Sequence, residues 1–167
     1  AALQRALNAL LPADIVVCRA ETAAPDFDAR RSARAKTYRY TLLRRAYPSA
    51  IDARFSLHVS HPLDREAMAE AAQCLVGTHD FSAFRAGTCA AATPIRTVTR
   101  AAWRVDGDRW QFEIDGNAFL QHMVRIIVGT LLEIGRGKRR APRFGGGLGP
   151  RGRPRAGKSG ASPAGGP

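Results

Sequence analysis

An arginine within an apolar helical stretch is the first candidate for chemistry in this sequence. Arg125 lies in the apolar segment 123–127, and a guanidinium in such surroundings is costly unless a partner compensates its charge. A carboxylate is the expected partner, although the spacing also fits an arginine on the exposed side of the helix. His122 lies on the same side of this predicted helix, either as a core histidine or as a substrate contact.

A tyrosine in a strand-like segment is the second candidate. Tyr38 has the basic neighbours Arg34, Lys36 and Arg39. A strand tyrosine in basic surroundings can stack on a nucleobase and place its hydroxyl beside it. The alternative is an ordinary core tyrosine.

The third candidate is a segment that mixes aromatic, hydroxyl and cationic side chains. It contains His79, Asp80, Phe81, Ser82, Phe84 and Arg85. Such a mixture suits a surface that holds an unpaired nucleotide. In the alternative interpretation, His79 and Asp80 orient a turn while the two phenylalanines anchor the loop to the core.

The net charge of the chain also indicates a nucleic-acid partner. The 167 residues contain 26 Lys and Arg against 14 Asp and Glu, a net charge of +12, which favours a polyanionic partner. Nine of the basic residues lie in 136–167, which has no acidic residue, so residues 1–135 carry only +3. We predict that 136–167 is a disordered basic tail. It either binds RNA phosphates or is an out-of-frame reading of a GC-rich gene.

Several classes of protein are disfavoured by composition. The three cysteines have no paired spacing, which argues against a disulfide framework or a zinc site and fits a reducing cytoplasm. No apolar run approaches the roughly 20 residues that a membrane span needs, and no signal peptide is apparent. The expected protein is cytoplasmic, with no metal. Because the chain starts inside a helical pattern, without Met, we expect a fragment.

Periodicity predicts three helices and several strands. The helices are an opening one that ends before Pro12, one over 64–76 that stops at Gly77, and one from Asn117 to Glu133 or Ile134. The predicted strands are 15–18, 36–43, 55–59, 98–105 and 108–114, the last two joined by a turn at 106–107, with a long loop over 78–95. Strands and helices without strict alternation predict an α+β fold, with a mainly antiparallel sheet flanked by helices.

Several segments together resemble the tRNA pseudouridine synthase A (TruA) family. They are residues 26–33, 36–40, 77–85, 93–98 and 117–129. Each is a modest signal, but the segments occur in the family's order and spacing, which makes coincidence improbable. The resemblance covers about residues 1–138 and implies that residues 1–135 are the C-terminal portion of a pseudouridine synthase catalytic domain, with the fold incomplete.

This resemblance implies an isomerase that converts uridine to pseudouridine in the anticodon arm of tRNA, at tRNA positions 38–40. The family needs no cofactor or metal and forms homodimers that bind tRNA in a basic cleft. By motif match, Tyr38 takes the place of the tyrosine that stacks on the extruded base, and Arg125 that of the arginine that pairs with the catalytic aspartate. The candidate phosphate contacts are Arg30, Arg34, Arg39, Arg85 and Arg96.

The chain departs from the family in ways that affect activity. The Gly-Arg-Thr-Asp signature that carries the catalytic aspartate is absent, Asp28 and Arg31 stand where His and Phe are usual, and the closing helix and strand are replaced by the tail. We therefore expect the chain alone to be inactive. The alternatives are a non-catalytic RNA-binding module and a basic ribosome-associated structural protein.

Overall fold

Residues 2–140 are described by the structure, which is a computed structural model. The predicted tail therefore lies largely outside the described residues. Two units are distinguished, Ala1–Ala33 and Arg34–Pro167.

The described residues form three helices, five strands and one 3-10 turn. In chain order they are helix α1 (Ala2–Leu10), strands β1 (Lys36–Arg44) and β2 (Leu57–Val59), helix α2 (Arg65–Gln73), strand β3 (Gly77–Asp80), the 3-10 turn (Ser82–Phe84), strands β4 (Ile95–Asp106) and β5 (Arg109–Gly116), and helix α3 (Met123–Gly135).

The first unit consists of α1 and an irregular segment bonded to it. The predicted strand over 15–18 is wrong, because its backbone groups bond to side chains of α1 rather than to a neighbouring strand. Asn8 accepts from the Val17 amide at 2.7 Å and donates to the Val17 carbonyl at 3.0 Å, and Gln4 donates to the carbonyls of Val17 and Cys18. The side-chain amides of the helix thus take the place of a strand partner.

The second unit is built on a five-stranded sheet of order β2-β1-β5-β4-β3. Only the β1–β2 pair is parallel, and the other pairs are antiparallel. With α2 and α3, this arrangement confirms the predicted α+β class and the mainly antiparallel sheet. No helix in the described part of the chain is long and apolar enough to cross a membrane.

One face of the sheet forms the core. In β5, Trp110, Phe112 and Ile114 are buried, as their alternation with polar residues predicts. They pair across β1 with Leu42, Tyr40 and Tyr38, so these side chains share a face. Fully buried residues of α2 and α3 join the same apolar cluster, among them Met68, Ile127 and Leu131.

Several predicted boundaries are wrong in informative ways. The last helix begins at Met123 rather than Asn117, because the Asn117 side chain accepts from the amides of Thr97 and Ala118 instead of capping a helix. The hairpin turn is Gly107–Asp108, since Asp106 still pairs with Arg109. Gly107 has φ 53°, the conformation that glycine supplies at the first position of a tight hairpin.

Short elements account for the other differences. Helix α2 ends at Gln73, and Gly77, which was expected to stop it, begins β3 instead. The predicted loop over 78–95 therefore contains a strand of four residues, too short to show a period. Strand β2 covers only Leu57–Val59 of the predicted 55–59.

Candidate active site

A cavity of about 460 Å³ opens at the end of the core face in the second unit. Three segments line it: residues 38–41 of β1, residues 53–57 before and at the start of β2, and residues 119, 120 and 122–125 before and at the start of α3. Four sequence-predicted site residues therefore line one cavity: Tyr38, Arg39, His122 and Arg125.

Tyr38 is positioned at this cavity by the end of β1. Its side chain is 47% exposed, so it is not an ordinary core tyrosine. The ring packs edge-on against Phe119, with centroids 5.1 Å apart and an interplanar angle of 81°. An exposed ring braced on one side leaves a surface on which a planar ligand can stack.

Gly116 lets Phe119 reach Tyr38. A Cβ atom at this position would lie 2.7 Å from the Thr97 carbonyl oxygen and 3.1 Å from Cζ of Phe119. Because a backbone carbonyl cannot move away cheaply, the side chain of residue 116 must stay absent for the two aromatic rings to keep their contact.

We expect Gly116→Ala to lower the free energy of unfolding by about 1–3 kcal/mol, the usual cost of overpacking, and to shift the ring signals of Tyr38. Urea denaturation and NMR measure the two effects. The matched control is Gly129→Ala in α3, where an added Cβ meets nothing within 4 Å and the gain in helix propensity should stabilise the protein by roughly 0.5–1 kcal/mol. Equal effects at the two positions would contradict this account.

Tyr40 lies deeper in the same cavity, on the same face as Tyr38. Burial raises the pKa of its hydroxyl above the ordinary 10.0, and the positive charge of Arg125 acts in the opposite direction. The folded protein therefore favours the neutral phenol, and Arg125 is close enough to affect the pKa of Tyr40.

This raised pKa predicts a loss of stability at alkaline pH. The contribution of Tyr40 is fully present below the unfolded value near 10.0 and is lost as the pH rises through the higher folded value, since the unfolded chain releases the proton first. Urea unfolding across this range, with Tyr40→Phe as the control, should show a component that the variant lacks. The tyrosinate absorbance difference between the two proteins should titrate with a midpoint above that of a free tyrosine, 10.0.

Arg125 is exposed and directed to the cavity rather than neutralised by a protein acid. It forms no ion pair within residues 2–140. The described residues that line the cavity include three arginines (Arg39, Arg54 and Arg125) and one histidine, but no carboxylate. The cavity therefore suits an anionic ligand, or a carboxylate supplied by another segment.

His122 turns the chain into α3. It has φ 59° and ψ 6°, the one non-glycine residue with positive φ in the described part of the chain. This left-handed conformation is uncommon for residues other than glycine and is found at functional sites. It brings both the exposed His122 side chain and the first turn of α3 to the cavity.

A hydrogen-bonded turn, residues 49–56, supplies the third side of the cavity; we call it the Asp52 turn. The Asp52 carboxylate accepts from Arg109 at 2.9 Å and from the Ser49 hydroxyl at 3.1 Å, and its backbone carbonyl accepts from the amides of Phe55 and Ser56 at 2.9 Å. The hydrogen bond from Arg109, followed by that from Ser49, lowers the pKa of Asp52 below 3.8. Ionised Asp52 thus ties the turn to the start of β5.

Two cavity residues of this turn, Arg54 and Phe55, were missed by sequence reasoning. Both are exposed, and from the sequence Phe55 is placed only in the predicted strand over 55–59 and Arg54 in no element. The only available signal was an arginine beside an aromatic residue, which is common on protein surfaces.

Arg39 and Arg85, two of the predicted phosphate-contact arginines, are engaged with the protein itself. Arg39 forms an ion pair with Glu113 at 2.7 Å. Arg85 donates to the carbonyls of Cys89 and Ala91. These bonds leave Arg39 largely exposed but commit much of Arg85 to holding its loop.

The other three candidates, Arg96, Arg34 and Arg30, differ in burial and in their contacts. Arg96 is half-buried and donates to the carbonyls of Thr93 and Ile95. Arg34 is exposed in the second unit, and Arg30 is exposed in the first. Of the four candidates in the second unit, only Arg39 lines the cavity.

The segment 79–85 packs into the protein. Phe81 is 0% and Phe84 is 3% exposed, so their rings are positioned as anchors rather than as stacking surfaces. The Asp80 carboxylate accepts from the Ser82 amide at 2.7 Å and from the Ser82 hydroxyl, which lowers the pKa of Asp80. His79 is half-buried, with Nε2 2.9 Å from the Val76 carbonyl oxygen. These contacts favour the interpretation as an oriented turn.

The described residues contain no group of three or more His, Cys, Asp or Glu side chains that could hold a metal ion. The cavity's own chemistry is therefore that of aromatic rings, guanidinium groups and one imidazole.

Comparison with known proteins identifies the family. A tRNA pseudouridine synthase family model matches residues 71–165. The chain is 50% identical over 155 residues to tRNA pseudouridine synthase A of Halalkalibacterium halodurans, covering 92% of the chain and 59% of that protein. For the proteins of the same name from Acetivibrio thermocellus and Myxococcus xanthus, identity is 48% and 46% over 136 residues, 81% of the chain in each case and 56% and 51% of those proteins.

The chain thus spans between half and three-fifths of the length of these curated relatives. The family match alone covers more than half of the chain. Together with the α+β fold, it shows that this chain belongs to the tRNA pseudouridine synthase family.

Proposed function

We propose that this chain forms the part of a tRNA pseudouridine synthase that holds the target uracil and carries the arginine partner of the catalytic carboxylate. The single observation that carries the proposal is the cavity in which the exposed ring of Tyr38 and the uncompensated charge of Arg125 lie together without a carboxylate. The relatives are named tRNA pseudouridine synthase A.

The proposed reaction is an isomerisation. The bond between N1 of uracil and C1′ of the ribose breaks, the base turns, and a bond between C5 and C1′ forms. C5 loses its proton and N1 ends with one, so no oxidant, reductant or cofactor is consumed. Tyr38 would stack on the extruded base, while Arg125 would keep the carboxylate ionised and oriented.

That carboxylate must come from outside the described cavity lining, since none of the lining residues has one. We propose that it is an aspartate of a segment that corresponds to the part of the relatives this chain does not match. We therefore expect the chain alone to form no pseudouridine.

The proposed substrate is a uridine in the anticodon stem-loop of tRNA, bound by a homodimer in the cytoplasm. Extrusion of a base is easiest from a loop or stem end, where stacking and pairing are weakest. The three cysteines are free, as in proteins of a reducing compartment.

The test is reconstitution. The chain is mixed or co-expressed with the segment of the Halalkalibacterium halodurans relative that lies outside the match, and pseudouridine in an unmodified tRNA transcript is measured by mass spectrometry. We expect product at the anticodon arm only when both parts are present. Absence of product, while the relative's own two parts reconstitute activity under the same conditions, would overturn the proposal.

The lack of a carboxylate in the cavity also favours a second candidate, a non-catalytic RNA-binding module. This candidate predicts that the chain binds the anticodon stem-loop but that reconstitution yields no pseudouridine. The same experiment therefore distinguishes the two functions.

A further inference from the structure

An aromatic ring on the Asp52 turn is held in an exposed position at the cavity. Phe55 is 80% exposed and lines the cavity. Leaving a phenylalanine in water forgoes the stabilisation that burial of its ring would contribute. An exposed ring on a mobile loop would need no explanation, but this turn is not loose.

The turn is fixed by polar contacts at several of its residues. Besides the bonds to the Asp52 carbonyl, the Asp52 amide donates to the Ser49 hydroxyl at 3.1 Å, and the Ser56 hydroxyl donates to the Asp52 carbonyl at 2.9 Å. Arg109, 57 residues away in sequence, anchors the carboxylate. The Phe55 ring is thus carried by a backbone with a defined position, as a preorganised binding surface requires.

The charge at this surface selects the partner. Arg54 is the immediate neighbour of Phe55, also exposed and also lining the cavity. With no carboxylate among the lining residues, the surface favours an anionic ligand. An aromatic face beside a guanidinium is the combination that binds single-stranded RNA, through a base and a phosphate respectively.

We propose that Phe55 stacks on the base of an unpaired nucleotide next to the target uridine, and that Arg54 contacts a phosphate of the same strand. This inference rests on the proposed function, because the cavity that receives the uridine at Tyr38 is the one that Phe55 borders. The Asp52 turn is then a second nucleotide subsite, and Asp52 and Arg109 are its positioning residues.

Binding of a fluorescently labelled anticodon stem-loop RNA to the full chain tests the subsite by anisotropy. We expect Phe55→Ala to weaken binding by about 5- to 150-fold, the range for loss of one base–aromatic stack. Phe55→Leu should weaken it similarly, since it keeps apolar volume without an aromatic face, whereas Phe55→Trp should retain affinity. The matched control is Ile51→Ala, because Ile51 is 88% exposed on the same turn but does not line the cavity; we expect less than a twofold change.

Salt dependence tests the phosphate contact. Loss of one contact to single-stranded RNA should reduce the slope of log Kd against log salt concentration by about 0.7. We expect this reduction for Arg54→Ala and no change for Arg104→Ala, since Arg104 is an exposed arginine of β4 outside the cavity lining. Asp52→Asn, which removes the charge that holds Arg109, should weaken RNA binding in the same direction as Phe55→Ala.

The outcomes separate this inference from the proposed function. If Tyr38→Ala weakens RNA binding and Phe55→Ala does not, the subsite is overturned and the proposed function stands. If neither variant differs from the wild type, or the wild type does not bind the RNA, the subsite is overturned, and the reconstitution experiment alone decides the proposed function. If Phe55→Ala instead changes the sedimentation coefficient of the RNA-free protein and leaves RNA affinity intact, the ring belongs to a protein interface and the subsite is overturned.

Discussion

Phe112→Ala is expected to lower the free energy of unfolding by about 3–5 kcal/mol, the usual cost of removing a buried phenylalanine side chain. The ring is 0% exposed at the centre of the sheet's core face and lies 5.1 Å from the ring of Trp103. Its removal leaves a cavity between the sheet and the helices that the neighbouring side chains can fill only in part. Since small domains have roughly 5–15 kcal/mol of stability, the loss is large.

Urea denaturation followed by tryptophan fluorescence measures this effect, because both tryptophans, Trp103 and Trp110, lie in the same aromatic cluster. Tyr47→Ala is the control, since Tyr47 is 80% exposed and surface changes are usually within 0.5 kcal/mol. Similar losses for the two variants would contradict the assignment of Phe112 to the core.

The core could be predicted from the sequence, because its residues recur with the period of the strand or helix that carries them. Alternation in β1 and β5 placed Trp110, Phe112 and Ile114 on one face, and the two strands pair in that register. A period of two needs only a few residues to be visible. Strand β3, with four residues, and β2, with three, were too short for this signal, so they were missed or misjudged in extent.

The start of α3 could not be predicted from the local sequence, because contacts with residues distant in sequence determine it. Asn117 has the residue type of a helix cap, but its side chain bonds to the Thr97 amide in β4. The segment that follows is therefore held against the sheet, and Phe119 packs on Tyr38 instead of joining the helix. The left-handed conformation of His122 then starts the helix, and nothing in the local sequence predicts it.

For the same reason, only part of the candidate site could be predicted from the sequence. Tyr38 and Arg125 can each be recognised from their local sequence. Tyr38 is a strand tyrosine with basic neighbours, and Arg125 is an arginine in an apolar helical segment. Arg54 and Phe55 cannot be recognised in this way, because their position depends on the bond between Asp52 and Arg109, which are distant in sequence. The expected carboxylate partner of Arg125 was not found within the described residues; the structure instead leaves its guanidinium exposed at the cavity.

Arg125→Ala is expected to lower kcat/KM of the reconstituted enzyme by roughly 30- to 5000-fold, because a close charge pair with a carboxylate is worth about 2–5 kcal/mol when one partner is removed. Arg125→Lys keeps the charge but not the planar pair of donors, so it should recover only part of the loss. The free energy of unfolding should change by less than about 0.5 kcal/mol, since the side chain is exposed and forms no ion pair within residues 2–140.

Two readouts keep this prediction separate from a general loss of RNA binding. Loss of a group that orients the carboxylate should fall mainly on kcat, whereas loss of a phosphate contact should fall mainly on KM. Arg125→Ala should also raise the pKa of Tyr40 further, because the charge that opposes the effect of burial is gone. Arg104→Ala, outside the cavity, should alter neither quantity. If kcat is unchanged in Arg125→Ala while the pKa of Tyr40 rises, the side chain lies where the structure places it but does not act on the reacting carboxylate.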